Sequence, residues 1–282
     1  MRVSSGTRQL ALAACALLLT ACDARRIVAV DPFPCGDGGV SGCVGLLDAL
    51  VGFWRLDDSP GSVAVRDFSG QANDGGLLGL DPGIAWVPDG PEGRALAPQG
   101  KGYVLVPQSN SINMVTMTVT VAAWIYIDGP ITDYATAISR QIGTSYGQHY
   151  HLSINAGMSP TLFITTPMSG QVYISNGAVT IAQKTWVHIA GTYDGATARL
   201  FLNGVEVAKA PVMGPFPIET NPVVLSGNGN AGGPDYTERI PGRLDDVMLY
   251  HRALSAGEIA RLRQGALVGW GGAADRDAGG GQ

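Results

Sequence analysis

The sequence predicts an all-β fold, two antiparallel sheets packed as a sandwich, with one short C-terminal helix. Three observations carry that expectation. The stretch Lys184–Lys209, KTWVHIAGTYDGATARLFLNGVEVAK, reads as three strands joined by two tight turns. Further short segments alternate their residues with the period of two that a pleated strand needs. Forty glycines and seventeen prolines against only 15% charged residues favour many short strands and many turns.

Within the meander, Trp186–Tyr193 is rich in aromatic and β-branched residues and stops at Asp194-Gly195. Thr197–Asn203 puts Ala198, Leu200 and Leu202 on one face and Thr197, Arg199 and Phe201 on the other, and stops at Asn203-Gly204. Both dipeptides suit the positive φ angles of a two-residue type I′ turn. Val205–Ala208 completes the meander, which buries one face and needs a second sheet to cover it.

The other elements follow in chain order. Leu50–Leu56 and Val63–Phe68 read as strands, each ended by Asp, Ser, Pro or Gly; Ile84–Val87 and Tyr103–Val106 are short extended pieces. In Thr116–Ile127, Met117, Val119, Val121, Ala123, Ile125 and Ile127 form an aliphatic core face. The opposite face, Thr118, Thr120, Ala122, Trp124 and Tyr126, either lines a groove or packs under a loop. Tyr150–Asn155, Thr161–Thr166, Gln171–Ser175, Pro222–Ser226 and Arg243–His251 complete the strands. Ser255 and Glu258 form a capping box, with Leu254 and Ile259 placed as a hydrophobic staple, so a helix is expected over about 256–264, ended by Gly265.

Residues 1–22 form a targeting segment, with Arg2 and Arg8 ahead of an apolar run too short to span a bilayer comfortably. Leu19-Thr20-Ala21-Cys22 resembles the lipobox of bacterial lipoproteins, which would make Cys22 the diacylated N-terminus; the alternative is ordinary signal cleavage near Ala21–Ala24. Residues 23–44 read as a Gly/Pro-rich tether, 45–265 as one folded domain, and 266–282, ending DAGGGQ, as an unstructured tail. The chain is therefore expected to be exported and lipid-anchored, facing the periplasm or the cell exterior. Cys15 would leave with the signal, and an oxidising compartment then favours a disulfide between Cys35 and Cys43. A net charge of −5, with no basic cluster beyond Arg25-Arg26, argues against a nucleic-acid partner.

Four segments resemble the LamG-like jellyroll family, a branch of the concanavalin A-like lectin and glucanase superfamily. They are GFWRLDDSPGSVAVRDFSGQANDGGL (Gly52–Leu77), VTVAAWIYI (Val119–Ile127), TWVHIAGTYDGATARLFLNGVEV (Thr185–Val207) and GRLDDVMLYHRALSAGEIARL (Gly242–Leu262). The resemblance implies a jellyroll of two curved antiparallel sheets with adjacent terminal strands. It also implies a choice between lectin and glycoside hydrolase. Glucanases of the superfamily carry a Glu-x-Asp-x-x-Glu cluster on one strand, and this chain has none. Its glutamates are scattered, and Asp57-Asp58 and Asp245-Asp246 are neighbours that would point to opposite faces of a strand. No Gly-x-Ser-x-Gly elbow is present. A non-catalytic binding module is therefore expected, taking a glycan or a cell-surface protein.

Calcium is the candidate ion. Asp67 and Asn73 offer hard oxygens on a glycine-containing loop, and metal-binding relatives imply a further acidic residue from the final strand, here Asp245 or Asp246. The alternative is that Asp67, Ser69 and Asn73 cap turns without an ion. His149 and His151 have a spacing that can hold zinc, with no third ligand evident, and His188 reads as buried or groove-edge. Sugar binding needs aromatic platforms beside planar polar groups, and Tyr146, Gln148, Tyr150, Asn228, Asn230 and Tyr236 are the candidates. Trp54, Trp124 and Trp186 lie in strand motifs and are expected in the core.

Overall fold

A computed structural model of the chain describes residues 45–143, 147–229, 236–265 and 267. From the N-terminal side it runs through β1 (Leu50–Trp54), β2 (Ala64–Val65), β3 (Gly75–Leu78), the helical turn α1 (Pro82–Ala85), β4 (Trp86–Val87), β5 (Ala95–Leu96), β6 (Tyr103–Val106) and α2 (Asn110–Asn113). The strands β7 (Val119–Ile127), β8 (Tyr134–Gln141), β9 (Gln148–Asn155), β10 (Pro160–Thr166) and β11 (Gly170–Ser175) follow, then β12 (Trp186–Tyr193), β13 (Thr197–Leu202) and β14 (Val205–Pro211). The chain closes with β15 (Val223–Leu225), β16 (Asn228–Gly229), β17 (Tyr236–Thr237), β18 (Gly242–Tyr250) and α3 (Ala256–Arg263).

Two sheets form the sandwich. The first has the order β14-β13-β12-β7-β18-β5-β4, with β1 also paired to β18; the second has the order β11-β10-β9-β8-β15-β6-β3-β2. Every pairing is antiparallel. Inward residues of both sheets, among them Val121, Ile125, Leu152, Ile164, Ile189, Leu200, Leu244 and Leu249, make the main core. A second apolar cluster lies on the outer side of the first sheet, where Ile259 and Leu262 of α3 cover Ala122, Ala190, Phe201, Met248 and Tyr250. The capping box is formed: Ser255 accepts from Glu258 N, and Glu258 accepts from Ser255 N.

Five details differ from the sequence reading. Asp194-Gly195 is not a type I′ turn, because only Gly195 has positive φ; Asn203 and Gly204 are both positive, as type I′ requires. Pro82 at the start of α1 turns Ile84 and Ala85 into helix, so only Trp86 and Val87 of that piece are strand. Met117 lies outside β7 and is exposed. Trp54 is core, but Trp124 and Trp186 stand half-buried on the outer face of the first sheet. Asp245 and Asp246 do not diverge: a β-bulge between Asp245 and Met248, with Asp246 at φ 45°, breaks the alternation, and both are buried.

Candidate functional site

The site is built on the outer face of the second sheet. In β9, Tyr150, Leu152 and Ile154 enter the core, so alternation turns His151, Ser153 and Asn155 outward; in β10, Leu162 and Ile164 enter, and Phe163 turns outward. Phe163 pairs with His151 on one side and Tyr173 on the other. The His151 and Phe163 rings stack with centroids 5.0 Å apart, and Phe163 meets Tyr173 at 5.1 Å. Tyr134, at the start of β8, meets Phe163 at 5.4 Å and His151 at 5.7 Å, both edge-on. Four rings thus form one ladder, with edge and stacked contacts that aromatic quadrupoles favour.

Beside this ladder lies a cleft of about 300 Å³ lined by Pro130, Ile131, Thr132, Tyr134, Glu238 and Arg239, among others. Backbone bonds fix its walls: Thr136 N donates to Glu238 O, and Asp128 N and Gly129 N both donate to Pro241 O. Glu238 sits at φ 56°, an uncommon region for a side chain of its size. Its Oε2 accepts from Thr136 Oγ1 at 2.9 Å and lies 3.2 Å from His151 Nε2. Thr136 Oγ1 is also 2.6 Å from that nitrogen. Because Thr136 gives its proton to Glu238, Nε2 is the donor in the Thr136–His151 bond, which places a proton there.

Electrostatics keep this carboxyl charged. Burial pushes Glu238 up, but the bond and charge of His151, then bonds from Thr136 and Asn228, outweigh it and hold the group below its ordinary value. Burial raises Tyr134, helped by the charges of Tyr173, Asp133 and Glu238, so its phenol keeps its proton at neutral pH. Arg239 lies over the Tyr103 ring at 5.3 Å, and its buried Nε has no hydrogen-bond partner. The cleft therefore offers an anionic acceptor in Glu238, a guanidinium in Arg239 and, in Tyr134, one aromatic ring that carries a phenol. Such a set can hold hydroxyl-rich molecules.

The residues expected to bind sugar are only partly brought here. Asn228 is, through its bond to Glu238. Tyr150 is not: it is fully buried in the core, and its hydroxyl has no partner. Gln148 is buried and accepts from Gln171 Nε2 at 2.7 Å. Of Tyr236, only the backbone pairing with Gly229 is described. Tyr146, Asn230 and the cysteines Cys22, Cys35 and Cys43 lie outside the described residues.

Of the expected calcium ligands, Asp67 and Asn73 meet in one loop, where their oxygens and nitrogens are already engaged in hydrogen bonds. Asp67 already accepts four hydrogen bonds, from Phe53 N, Ser69 N, Ser69 Oγ and Asn73 N, at 2.7–2.9 Å. Asn73 donates to Val51 O and Ser111 Oγ and accepts from Ser109 Oγ. This loop is a side-chain-capped turn, pinned by Trp54 Nε1 to Asn73 O. Asp245 belongs elsewhere. Burial, then the charges of Asp246 and Asp57, push it far above the carboxylate range. A Cβ on Gly90 would stand 2.6 Å from its Oδ2, so the 88–94 loop closes over it and no substrate reaches it. Among the described residues no group of three or more His, Cys, Asp or Glu is arranged to hold a metal ion.

The two histidines spaced for zinc also separate. His151 serves Glu238, whereas His149 is buried and stacks on Phe216 with centroids 5.1 Å apart. His188 is buried against Trp124. The residues missed from the sequence are Tyr134, Phe163, Tyr173, Glu238 and Arg239. Phe163 and Tyr173 were open to detection, since alternation in their strands turns them outward. Glu238 and Arg239 had no local signal, because the partners of Glu238 lie on β8 and β9 and the ring under Arg239 is on β6.

A family model described as the concanavalin A-like lectin/glucanases superfamily, a laminin-G type, matches residues 98–260, more than half of the chain. The chain belongs to this family. Solved binding domains of other proteins share the fold. The binding domain of Paraclostridial Mosquitocidal Protein 1 superposes with a TM-score of 0.58 at 17% identity, covering 79% of this chain and 54% of that one. Domain 4 of AbnA, an extracellular arabinanase from Geobacillus stearothermophilus solved with arabinotriose, gives 0.56 at 18%, covering 76% and 98%. The binding domain of botulinum neurotoxin DC, solved with rat synaptotagmin II, gives 0.58 at 14%, covering 81% and 55%. The chain thus spans about half the length of the toxin domains and nearly all of the arabinanase domain. No curated protein matches it in sequence.

Proposed function

We propose that this laminin-G-type chain is a non-catalytic, lipid-anchored binding module outside the cytoplasm, and that its cleft at Tyr134, Glu238 and Arg239 takes a glycan. The observation that carries the reading is the charged Glu238 carboxylate, oriented by Thr136 and His151 beside an aromatic ladder. Sugars present apolar ring faces for stacking and hydroxyls that pair with carboxylate and guanidinium. The arabinanase domain solved with arabinotriose supports a sugar as ligand, and the botulinum domain solved with synaptotagmin supports a protein as the second reading. The anchor rests on Leu19-Thr20-Ala21-Cys22 and the tether that follows.

Absence of catalysis rests on geometry. Glycoside hydrolysis needs two carboxyls facing a scissile bond, roughly 5–9.5 Å apart. In the cleft Glu238 has Arg239 beside it, Asp245 is closed off by Gly90, and Asp246 is buried. A glycan array probed with the purified chain should return hits that Glu238→Gln weakens. Silence across the array, with a protein retained in pull-down, would replace the glycan reading with the protein one. Release of reducing sugar from any bound polysaccharide would overturn the non-catalytic reading.

A further inference from the structure

The end of the sandwich away from the cleft is made of loops with an unusual composition. Residues 107–118, 166–172 and 210–218 contain no charged residue. They carry four of the chain's seven methionines, and those side chains do not enter the core. Met114 is 62% exposed, Met117 49%, Met168 67% and Met213 57%, and Ile218 is 92% exposed.

These loops form one surface. Thr166 Oγ1 donates to Met213 O, Ser169 Oγ accepts from Met213 N, and Phe216 N donates to Thr116 O. Val212 N donates to Ala196 O, which brings in the Asp194–Thr197 turn, where a Cβ on Gly195 would stand 3.5 Å from Met117 Sδ. A Cβ on Gly214 would stand 2.7 Å from Met168 Sδ. Beneath them Arg140 donates to Ile112 O, Asn113 Oδ1, Glu219 O and Asn221 O, so the first and third loops are clamped by one buried side chain. The nearby Asp194 is neutralised by Arg199 at 2.6 Å. A hydrogen-bonded base thus holds out apolar, uncharged tips.

The chain enters the domain at this same end. Arg252 donates to Gly45 O and Asp48 O, while Thr118, next to Met117, donates to His251 O. The segment that precedes Gly45 is the one that leads back to Cys22.

We propose that the methionine-rich end formed by Met114, Met117, Met168, Met213 and Ile218 docks on the lipid bilayer that carries the chain's own N-terminal anchor. Monomeric proteins seldom expose several large apolar side chains together unless the surface is used. Methionine is unbranched and polarizable, which suits the irregular boundary between headgroups and acyl chains. Insertion of apolar tips into that boundary, about 5–10 Å deep, needs no basic residues when apolar burial drives it. Tethering raises the effective concentration of the bilayer to the order of millimolar, so a weak surface is sufficient. Docking by this end leaves the outer face of the second sheet and its cleft open to solution. The inference rests on the lipid-anchor reading for its direction.

The test is oxidative footprinting of the lipidated full chain in vesicles of phosphatidylethanolamine and phosphatidylglycerol. Hydroxyl-radical oxidation of Met114, Met117, Met168 and Met213 is measured against that of Tyr173, which is exposed on the second sheet. The reference is the Cys22→Ser chain free in solution. The four methionines should oxidise at least about fivefold more slowly on vesicles, as burial at that depth implies. The protection should be insensitive to salt. Met117→Gln with Met213→Gln, both at exposed positions, should return Met114 and Met168 to the solution rate. Equal rates in the two states, with the lipidated chain still floating with vesicles, would overturn docking and leave the anchor reading intact. A chain that does not float would overturn both. Protection on cell membranes but not on pure lipid would assign this end to a protein and overturn the lipid proposal.

Discussion

His151 Nε2 stands 3.2 Å from Glu238 Oε2, and through this pair the cleft is tied to the middle of the second sheet. Glu238→Gln keeps the side chain's size and removes its charge. A charge-assisted hydrogen bond contributes about 1.5–3 kcal/mol, so affinity for a glycan found on the array should fall roughly tenfold to a hundredfold. Titration calorimetry reads this directly. An unchanged affinity would remove Glu238 from the site.

Tyr134 and Tyr150 should respond in opposite ways. Tyr134→Ala deletes the ring that joins the ladder to the cleft and should weaken glycan binding about tenfold, given about 0.5–1.5 kcal/mol for an aromatic contact plus lost area. Tyr150→Phe deletes a hydroxyl that is buried without a partner, so the melting temperature should hold or rise while binding stays the same. A loss of binding in Tyr150→Phe would restore that residue as a ligand contact.

Buried histidine supplies one part of the pH response. Burial, with the charge of Arg263, lowers His188 from 6.5 to about 4, and burial with Arg140 lowers His149 to about 3. Above pH 6.5 both folded and unfolded chains hold neutral imidazole, and the histidine contribution is full. As pH falls through 6.5 the unfolded chain takes up protons that the folded sites refuse, so stability drops until about pH 4 for His188. That shift corresponds to roughly 3 kcal/mol for His188. The buried Asp245 and Asp246, raised by burial, act with the opposite sign and gain stability as pH falls, so the test is a difference: the melting temperature of His188→Leu relative to the parent should rise between pH 7 and pH 4. Parallel slopes for the two proteins would show that His188 does not couple to folding.

A calcium titration should leave the melting temperature unchanged. The four donors on Asp67 would have to be broken before it could ligate an ion, and the loop around it is already closed by Asn73 and Trp54. Ligand binding to the folded state always raises the transition, by RT ln(1 + [L]/Kd). A rise of several degrees at millimolar Ca²⁺ would show that the turn opens to bind metal.

The sequence showed the strands whose two faces differ. In β12 and β13 the turns and the period of two are local, and both were placed to within a residue. The strand β8 escaped because its segment YATAISRQ is buried on both faces and carries Arg140, which looks like a surface residue until its four acceptors are known. The site was harder for a related reason. Glu238 owes its charge and orientation to Thr136 and His151, more than eighty residues earlier, and no spacing rule connects them. Asp67 left two readings open for the opposite reason, since carboxylates that cap turns and carboxylates that bind calcium share a local pattern of Asp, Asn and Gly.

Gly204 separates scaffold from site. Its φ of 84° belongs to the type I′ turn between β13 and β14, and a Cβ there would stand 3.3 Å from the Cα of Ala260 in α3. Gly204→Val therefore meets two costs at once: a β-branched residue forced into the left-handed region, and pressure on the helix that covers Phe201 and Ala190. The first alone is about 1–2 kcal/mol, and together they should cost about 2 kcal/mol or more and several degrees in melting temperature. Glycan affinity at temperatures where the variant is folded should match that of the parent, because the turn is in the first sheet and the cleft is beside the second. If Gly204→Val kept its melting temperature and lost the glycan, the binding surface would have to be sought at the meander, beside α3.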